Sequence, residues 1–138
     1  MAPKNPWMEF RSSDGLTILV GRTAHDNDRL TFREGAQNDF WLHVAPTPGS
    51  HVIIKNPGGL DRPPRATLEE AAALAAWFSK SRAGGRVAVH WTFRRHVSKE
   101  RGAPAGQVSL RQYQSIKAAP AIPPGVVALD GTDDSAGF

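Results

Sequence analysis

The residues of this chain most capable of chemistry lie between positions 21 and 52. Asp39, Trp41 and His43 alternate there, so in a β-strand their side chains would lie on one face. A carboxylate close to an imidazole, which titrates near neutral pH, is a common pair in general acid–base catalysis. No serine-nucleophile pattern or phosphate-binding loop accompanies the pair. We therefore favour a packed Trp41 and a hydrogen-bonded His43 that hold a loop rigid, and we predict no catalytic residue.

His43 and His51 are also candidate metal ligands, because imidazole is a frequent ligand of zinc. A third ligand is not evident, and the chain contains no cysteine, which excludes disulfides and thiolate metal sites. The sequence therefore predicts neither a bound metal nor another cofactor.

Polar residues in the same stretch are candidates for contacts with nucleic acid. Ser50 and His51 follow the Pro48-Gly49 turn at the start of a predicted strand, where they can face a phosphate or a ribose 2′-hydroxyl. Arg22 and Asn27 are expected to present hydrogen-bond donors on the same face as His43. The structural alternative is that Asn27 caps a helix and that Arg22 pairs with a nearby carboxylate.

A basic segment follows between residues 80 and 101. It holds seven Lys and Arg against one acid, interleaved with His90, Trp91, Phe93 and His96. Phosphates attract cations, and unpaired bases stack on aromatic or guanidinium planes. Residues 94–99 (RRHVSK) should form a loop beside the small residues 102–106 (GAPAG), where a nucleic-acid backbone can come close. The cations expected to bind RNA are Lys80, Arg94, Arg95 and Lys99, and the last three are expected to contribute little to folding. A solvated charged loop is the alternative.

Charge and length restrict the class of protein. The 138 residues suffice for one domain with its own core. All 17 Lys and Arg and ten of the 13 acids lie in residues 1–117, for a net charge of +7, and three Asp follow. A basic domain attracts polyanions. No apolar run approaches the roughly 20 residues that span a bilayer, and the N-terminus has no apolar signal-peptide stretch, so we expect a cytoplasmic protein without a membrane partner.

The elements that must position these residues form an α+β pattern, a mostly antiparallel, twisted sheet with one long helix packed on it. A hairpin with an Asp14-Gly15 turn is predicted near the N-terminus, followed by a short helix over Asp26–Arg33 that Asp26 or Asn27 caps. Further strands are predicted over Asp39–Val44, His51–Lys55, Arg86–Phe93 and Val108–Tyr113.

The long helix is expected to open at Thr67, because Thr67 and Glu70 have the spacing of a capping box. Lys80 and Arg82 would then lie in its last turn, and Gly84-Gly85 would end it. Residues 118–138 combine three Pro, three acids and small residues, so we expect a domain over residues 1–117 and a loosely held tail after it.

The motifs of the first half resemble a known family, the NFACT-R domain. That family has, roughly, GRNA, ND, LT, D-x-W-L/F-H-V and PGSHV. This chain has, in the same order, GRTA at 21–24, Asn27-Asp28, Leu30-Thr31, Asp39, WLHV at 41–44 and PGSHV at 48–52. The resemblance extends from residue 7 to about residue 117, through Lys99, Gly102-Ala103, Pro104, Gly106 and Val108.

The chain departs from the family pattern at three places. Thr23 replaces an Asn, Leu110 replaces a Tyr, and residues 114–116 read Gln-Ser-Ile where the family has Lys-Thr-Ile. If that lysine contacts RNA, this protein binds RNA differently or more weakly.

The resemblance implies RNA binding, as part of large factors that act on the large ribosomal subunit and tRNA during rescue of stalled chains. The present chain has no room for the other domains of those factors. We therefore predict a standalone module that binds tRNA, rRNA or the ribosome, with no DNA partner expected. Two alternatives stay open: a protein–protein adaptor that uses the Trp41 and His43 face, and an RNA-processing enzyme that uses Asp39 and His43.

Overall fold

The computed structural model describes residues 6–45 and 47–129. The elements within them are, in chain order, β1 (Trp7–Arg11), β2 (Thr17–Gly21), α1 (Ala24–Arg29), a π-helical turn (Leu30–Glu34), β3 (Phe40–Val44), β4 (Val52–Ile54), α2 (Arg65–Trp77), β5 (Val87–Phe93), a 3-10 turn (Arg94–His96), β6 (Val97–Ser98), β7 (Ser109–Leu110), β8 (Gln114–Ala118) and β9 (Val127–Ala128). None of these helices is long and apolar enough to cross a membrane.

Seven strands form one sheet in the order β8-β5-β3-β4-β2-β1-β9, and every neighbouring pair is antiparallel. Strands β6 and β7 form a separate two-stranded ribbon. The predicted α+β class with a mostly antiparallel sheet is therefore confirmed. The predicted Asp-Gly turn is present between β1 and β2, where Gly15 has a φ of +84° that glycine adopts without strain.

Both faces of the sheet are covered, whereas the sequence predicted only one long helix packed on the sheet. α2 packs its alanine-rich side on one face, where residues such as Phe40, Leu42 and Trp91 form the main core. On the other face, Leu30 from the π-helical turn and Val97 from β6 pack around Trp41. Strand alternation requires this second layer, because β3 carries large apolar residues on both faces.

The predicted limits of α2 are wrong at both ends. The helix begins at Arg65, and Thr67 is buried inside its first turn. The Thr67 hydroxyl donates to Asp14 Oδ2 at 2.6 Å and Glu70 accepts from the Ser13 amide at 2.9 Å. The residues that suggested a capping box therefore fasten the helix to the β1–β2 turn.

α2 ends at Trp77, before Lys80 and Arg82 and well before the predicted stop at Gly84-Gly85. The reason is tertiary. The Phe78 carbonyl accepts from the Ser50 amide and the Lys80 amide donates to the Pro48 carbonyl, both at 2.9 Å. Pairing with residues 48–50 therefore replaces the next turn of helix.

Three smaller predictions are also corrected. α1 begins at Ala24, and Thr23 caps it by accepting from the Asp26 amide, in place of Asp26 or Asn27. Of the strand expected over Val108–Tyr113, only Ser109–Leu110 is strand, as β7, and β8 begins after it at Gln114. Residues 94–98 form the 3-10 turn and β6 within the stretch expected to be a loop, because Val97 is buried and pairs with Leu110.

Part of the Pro-rich segment returns to the sheet. β8 continues to Ala118, and β9 pairs with β1 through Phe10–Ala128 and Arg11–Val127. Residues 130–138, which include the three acids of the predicted tail, lie outside the described residues.

Candidate nucleic-acid interface

A cleft of about 510 Å³ opens between the turn at residues 47–49, the start of α1 and the loop at residues 104–107. Backbone and small side chains make up much of its wall. The polar side chains that line it are Asn27, His43, Thr47, Lys80 and Gln107.

Asn27 builds the wall of this cleft. It is 2 % exposed, and its Nδ2 donates to the Gly49 carbonyl at 3.3 Å while its Oδ1 accepts from the His51 amide at 3.0 Å. Gly21 leaves the space for it, because a Cβ there would stand 1.9 Å from Asn27 Oδ1. Both ends of the amide are therefore occupied in holding the Gly49 turn against α1.

A buried chain of hydrogen bonds fixes the opposite wall of the cleft. Trp41 Nε1 donates to Thr31 Oγ1 at 3.1 Å, Thr31 Oγ1 lies 2.8 Å from His51 Nδ1, and His51 Nε2 lies 3.0 Å from the Gly106 carbonyl. A carbonyl only accepts, so Nε2 carries the hydrogen and Nδ1 accepts from the Thr31 hydroxyl. His51 is thus a neutral imidazole with both nitrogens engaged.

Burial reinforces that neutral state. It lowers the pKa of His51 to about 3, with the nearby His43 as the next cause. His51 is 1 % exposed. A charged imidazole at such a buried site would lose its hydration, so the neutral form is favoured. Its role in this conformation is to hold the Gly106 loop.

Asp28 and Lys99 clamp the same loop from the side. Asp28 Oδ1 accepts from the Gly106 amide at 3.1 Å, and Asp28 Oδ2 pairs with Lys99 Nζ at 3.0 Å. Lys99 Nζ also donates to the Pro104 and Gln107 carbonyls. Lys99 therefore makes three contacts within the fold, where the sequence predicted a cation that contributes little to folding.

His43 is the imidazole that borders the cleft. Its ring stacks against Trp41 at 5.9 Å between centroids and meets His51 edge-on at 5.5 Å. Burial lowers the pKa of His43 to about 4, against the opposing effect of a backbone hydrogen bond with Gly49. At neutral pH it is uncharged, so one ring nitrogen donates and the other accepts.

The remaining predicted residues divide into interior and surface groups. Ser50 is fully buried and donates to the Gly21 carbonyl, and Arg22 is 9 % exposed. Lys80 is exposed at the cleft. The structure thus brings His43, Asn27 and Lys80 to one cavity, and it places Ser50, His51 and Arg22 inside the domain.

The two arginines of the 3-10 turn differ. Arg94 is half-buried, donates through Nε to the Thr31 carbonyl and lies 4.7 Å from the centre of the Phe32 ring. Arg95 is exposed and lies 4.0 Å from the centre of the Phe93 ring. Arg94 consequently has a role in packing, whereas Arg95 remains available to a partner.

Asp39 has a structural environment. Its Oδ2 accepts from the Ala36 amide at 2.8 Å and from Lys55 Nζ at 2.7 Å, and its Oδ1 accepts from the Asn56 amide at 2.9 Å. Three donors around a buried carboxylate hold a loop together. Residues 6–45 and 47–129 contain no group of three or more His, Cys, Asp or Glu that could hold a metal ion.

Trp41 is 1 % exposed beneath the second layer. An adaptor surface on that face would therefore have to use His43 without its tryptophan neighbour. Thr47 and Gln107 line the cleft but were not predicted from the sequence, because they come from loops without periodicity. The nearest sequence signal was Gly106, whose φ of +83° allows the loop to turn beside Ala24.

Comparison with known proteins agrees with this architecture. Residues 6–112 match the family model described as the NFACT protein RNA binding domain. The chain is 41% identical over 119 residues to the Rqc2 homolog RqcH of Bacillus subtilis (strain 168), covering 86% of this chain and 20% of that protein. It is 32% identical over 111 residues to the ribosome quality control complex subunit NEMF of Homo sapiens, covering 77% of this chain and 10% of that protein.

A solved structure shares the fold. The C-terminal part of the fibronectin/fibrinogen-binding protein from Streptococcus suis superposes with a TM-score of 0.79 at 30% identity, over 87% of this chain and 47% of that one. The chain spans a fifth or less of the full-length relatives above. The family match, the identities and the shared fold together show that this chain belongs to the NFACT RNA-binding domain family.

Proposed function

We propose that this domain binds RNA, and that the cleft at His43 and Lys80 receives part of the RNA backbone. The observation that carries the proposal is the composition of this cleft. Lys80 offers a cation, His43 offers an uncharged donor and acceptor, and the Gly49 and Gly106 walls allow close approach. Such a mixture suits a phosphate and its ribose.

The RNA we propose is tRNA or rRNA, and the setting is ribosome quality control. The support is the similarity to proteins that include a subunit of the ribosome quality control complex. Those proteins are much longer than this chain, so their whole activity does not transfer with the domain. A role on ribosomes would place the protein in the cytoplasm.

We further propose that the domain binds without catalysing a reaction. Asp39 is surrounded by donors that hold a loop, so it is poorly placed to accept a proton from substrate. His43, with its pKa lowered to about 4, is a weak base at neutral pH.

The experiment that tests RNA binding is a salt titration of affinity for tRNA and for an rRNA fragment. If about four phosphates are neutralised, log K should fall with log salt at a slope of about −3 to −4. Lys80→Ala and Arg95→Ala should each reduce that slope by about one. A flat salt response, or an affinity too weak to measure even at low salt, would contradict the proposal.

Arg65→Ala is the matched control. Arg65 is a highly exposed cation at the first residue of α2. Lys80 lies beyond the other end of this helix, which is about 18 Å long at 1.5 Å per residue. The Arg65 variant should keep the wild-type salt slope. An equal reduction of the slope in all three variants would indicate that RNA is attracted by the charge of the whole domain and not by a site at the cleft.

A further inference from the structure

Tyr113 presents an aromatic ring at the surface. It is 52% exposed, whereas every other Phe, Tyr and Trp within residues 6–45 and 47–129 is buried or half-buried. A ring left in water at this level is unusual for a side chain that could be packed in a core, and exposed aromatic rings often bind a partner.

His90 supports that ring from below. The two rings are nearly parallel, with centroids 4.0 Å apart and an angle of 23° between their planes. His90 lies on β5 directly opposite His43 of β3. The stack is therefore built on β5, which lies between the edge strand β8 and β3, and β3 carries the His43 that borders the cleft.

A shallow depression of about 370 Å³ adjoins Tyr113. Its other lining residues are Asp61, Arg62, Trp91, Thr92, Phe93, Gln112 and Gln114. Arg62 lies 5.9 Å from the centre of the Trp91 ring, and Arg95 lies over Phe93. A planar ring, amide side chains, one carboxylate and one guanidinium group thus line one depression, and a second guanidinium, that of Arg95, lies over one of its lining rings.

We propose that this site, the Tyr113 platform (Tyr113, His90, Gln112, Gln114, Asp61 and Arg62), binds an unpaired nucleobase of RNA. The base stacks on Tyr113, the amides and the carboxylate meet donors and acceptors on its edge, and the arginines attract the flanking phosphates. The proposal rests on the proposed RNA binding and narrows it to RNA with a single-stranded segment. An apolar helix or strand of a protein partner would instead need a continuous apolar groove.

The test compares two RNA probes by fluorescence anisotropy with the full chain. One is a single-stranded oligouridylate of about 12 nucleotides, within the usual site sizes for single strands. The other is a fully paired duplex of similar length. Tyr113→Ala should weaken binding of the single strand by about 5- to 150-fold, the range for loss of one base–aromatic stack, and should leave binding of the duplex unchanged.

Two further variants distinguish the effect of the aromatic stacking surface from the effect of side-chain volume. Tyr113→Phe keeps the stacking surface and should bind within about twofold of the wild type, whereas Tyr113→Leu keeps apolar volume and should resemble the alanine variant. Melting temperatures should agree among all three, because substitutions at exposed positions change stability by about 0.5 kcal/mol or less.

The outcomes distinguish this proposal from the proposed function. If the wild type binds neither these probes nor tRNA, RNA binding itself is refuted; if it binds tRNA but not the single strand, RNA binding stands and the Tyr113 platform is refuted. If it binds RNA but Tyr113→Ala has wild-type affinity for the single strand, or loses affinity for both probes equally, RNA binding stands and the Tyr113 platform is refuted.

Discussion

Acidification should destabilise this domain through two buried imidazoles. In the folded chain the pKa of His51 is about 3 and that of His43 about 4, both lowered mainly by burial from the usual 6.5. The unfolded chain therefore binds protons below pH 6.5 that the folded chain does not accept. Stability is complete above that pH and falls as the pH decreases toward the folded values.

The size of the loss follows from the same values. Between pH 7.5 and pH 5 each unfolded-state imidazole gains about 2 kcal/mol from protonation, at about 1.36 kcal/mol per pH unit. Folded His51 gains almost nothing, although the nearby Asp28 opposes part of the shift in its pKa. Folded His43, which faces His90 and the Gly49 backbone, likewise gains almost nothing from protonation in this range. The expected loss is therefore about 4 kcal/mol, a large part of the roughly 5–15 kcal/mol that stabilises a typical domain.

Urea unfolding at both pH values measures this loss directly. His43→Gln removes one titrating group, so its loss should be about 2 kcal/mol smaller than that of the wild type. His25→Gln, at an exposed position of α1, controls for removal of any imidazole and should match the wild type. A wild-type loss below about 1 kcal/mol, or an unchanged loss in His43→Gln, would refute the reasoning.

Two further predictions concern the loop that forms the cleft wall. His51→Ala should lower the free energy of unfolding by about 2–4 kcal/mol, because the Gly106 carbonyl and the Thr31 hydroxyl lose a buried partner. Unfolding in urea at pH 7.5 measures this loss of stability. An unchanged urea midpoint would contradict the hydrogen-bond chain through His51. Lys99→Ala should lower the free energy of unfolding by about 1–2 kcal/mol, because the Asp28 ion pair and two carbonyl contacts are lost. Arg95→Ala should change the free energy of unfolding by about 0.5 kcal/mol or less. Equal melting temperatures for these two variants would show that Lys99 does not clamp the loop.

Local sequence determined much of the fold. The Asp14-Gly15 turn was predictable because glycine alone adopts its positive φ freely. The two faces of the strand at residues 86–93 were predicted from its alternating pattern. Val89 and Trp91 pack in the main core beside Val87 and Phe93, as that pattern predicts. Period-2 alternation is a local property, so the sequence alone shows it.

Other features depended on residues far apart in the chain. Thr67 and Glu70 have the spacing of a capping box, but their partners are Asp14 and Ser13, more than fifty residues away. α2 ends where it does because residues 48–50 pair with residues 78–80. Local propensity could not foresee either result, because each competing partner comes close only when the sheet forms.

The candidate site shows the same division. The sequence by itself identified Asn27, His43, His51, Lys80 and Lys99 as unusual, through residue type and motif. It could not separate those that line the cleft from those that support it, since an imidazole in a motif can serve either purpose. The tertiary structure decided that His51 and Lys99 hold the Gly106 loop and that His43 and Lys80 border the cavity, because burial and hydrogen-bond partners are set by contacts between distant segments.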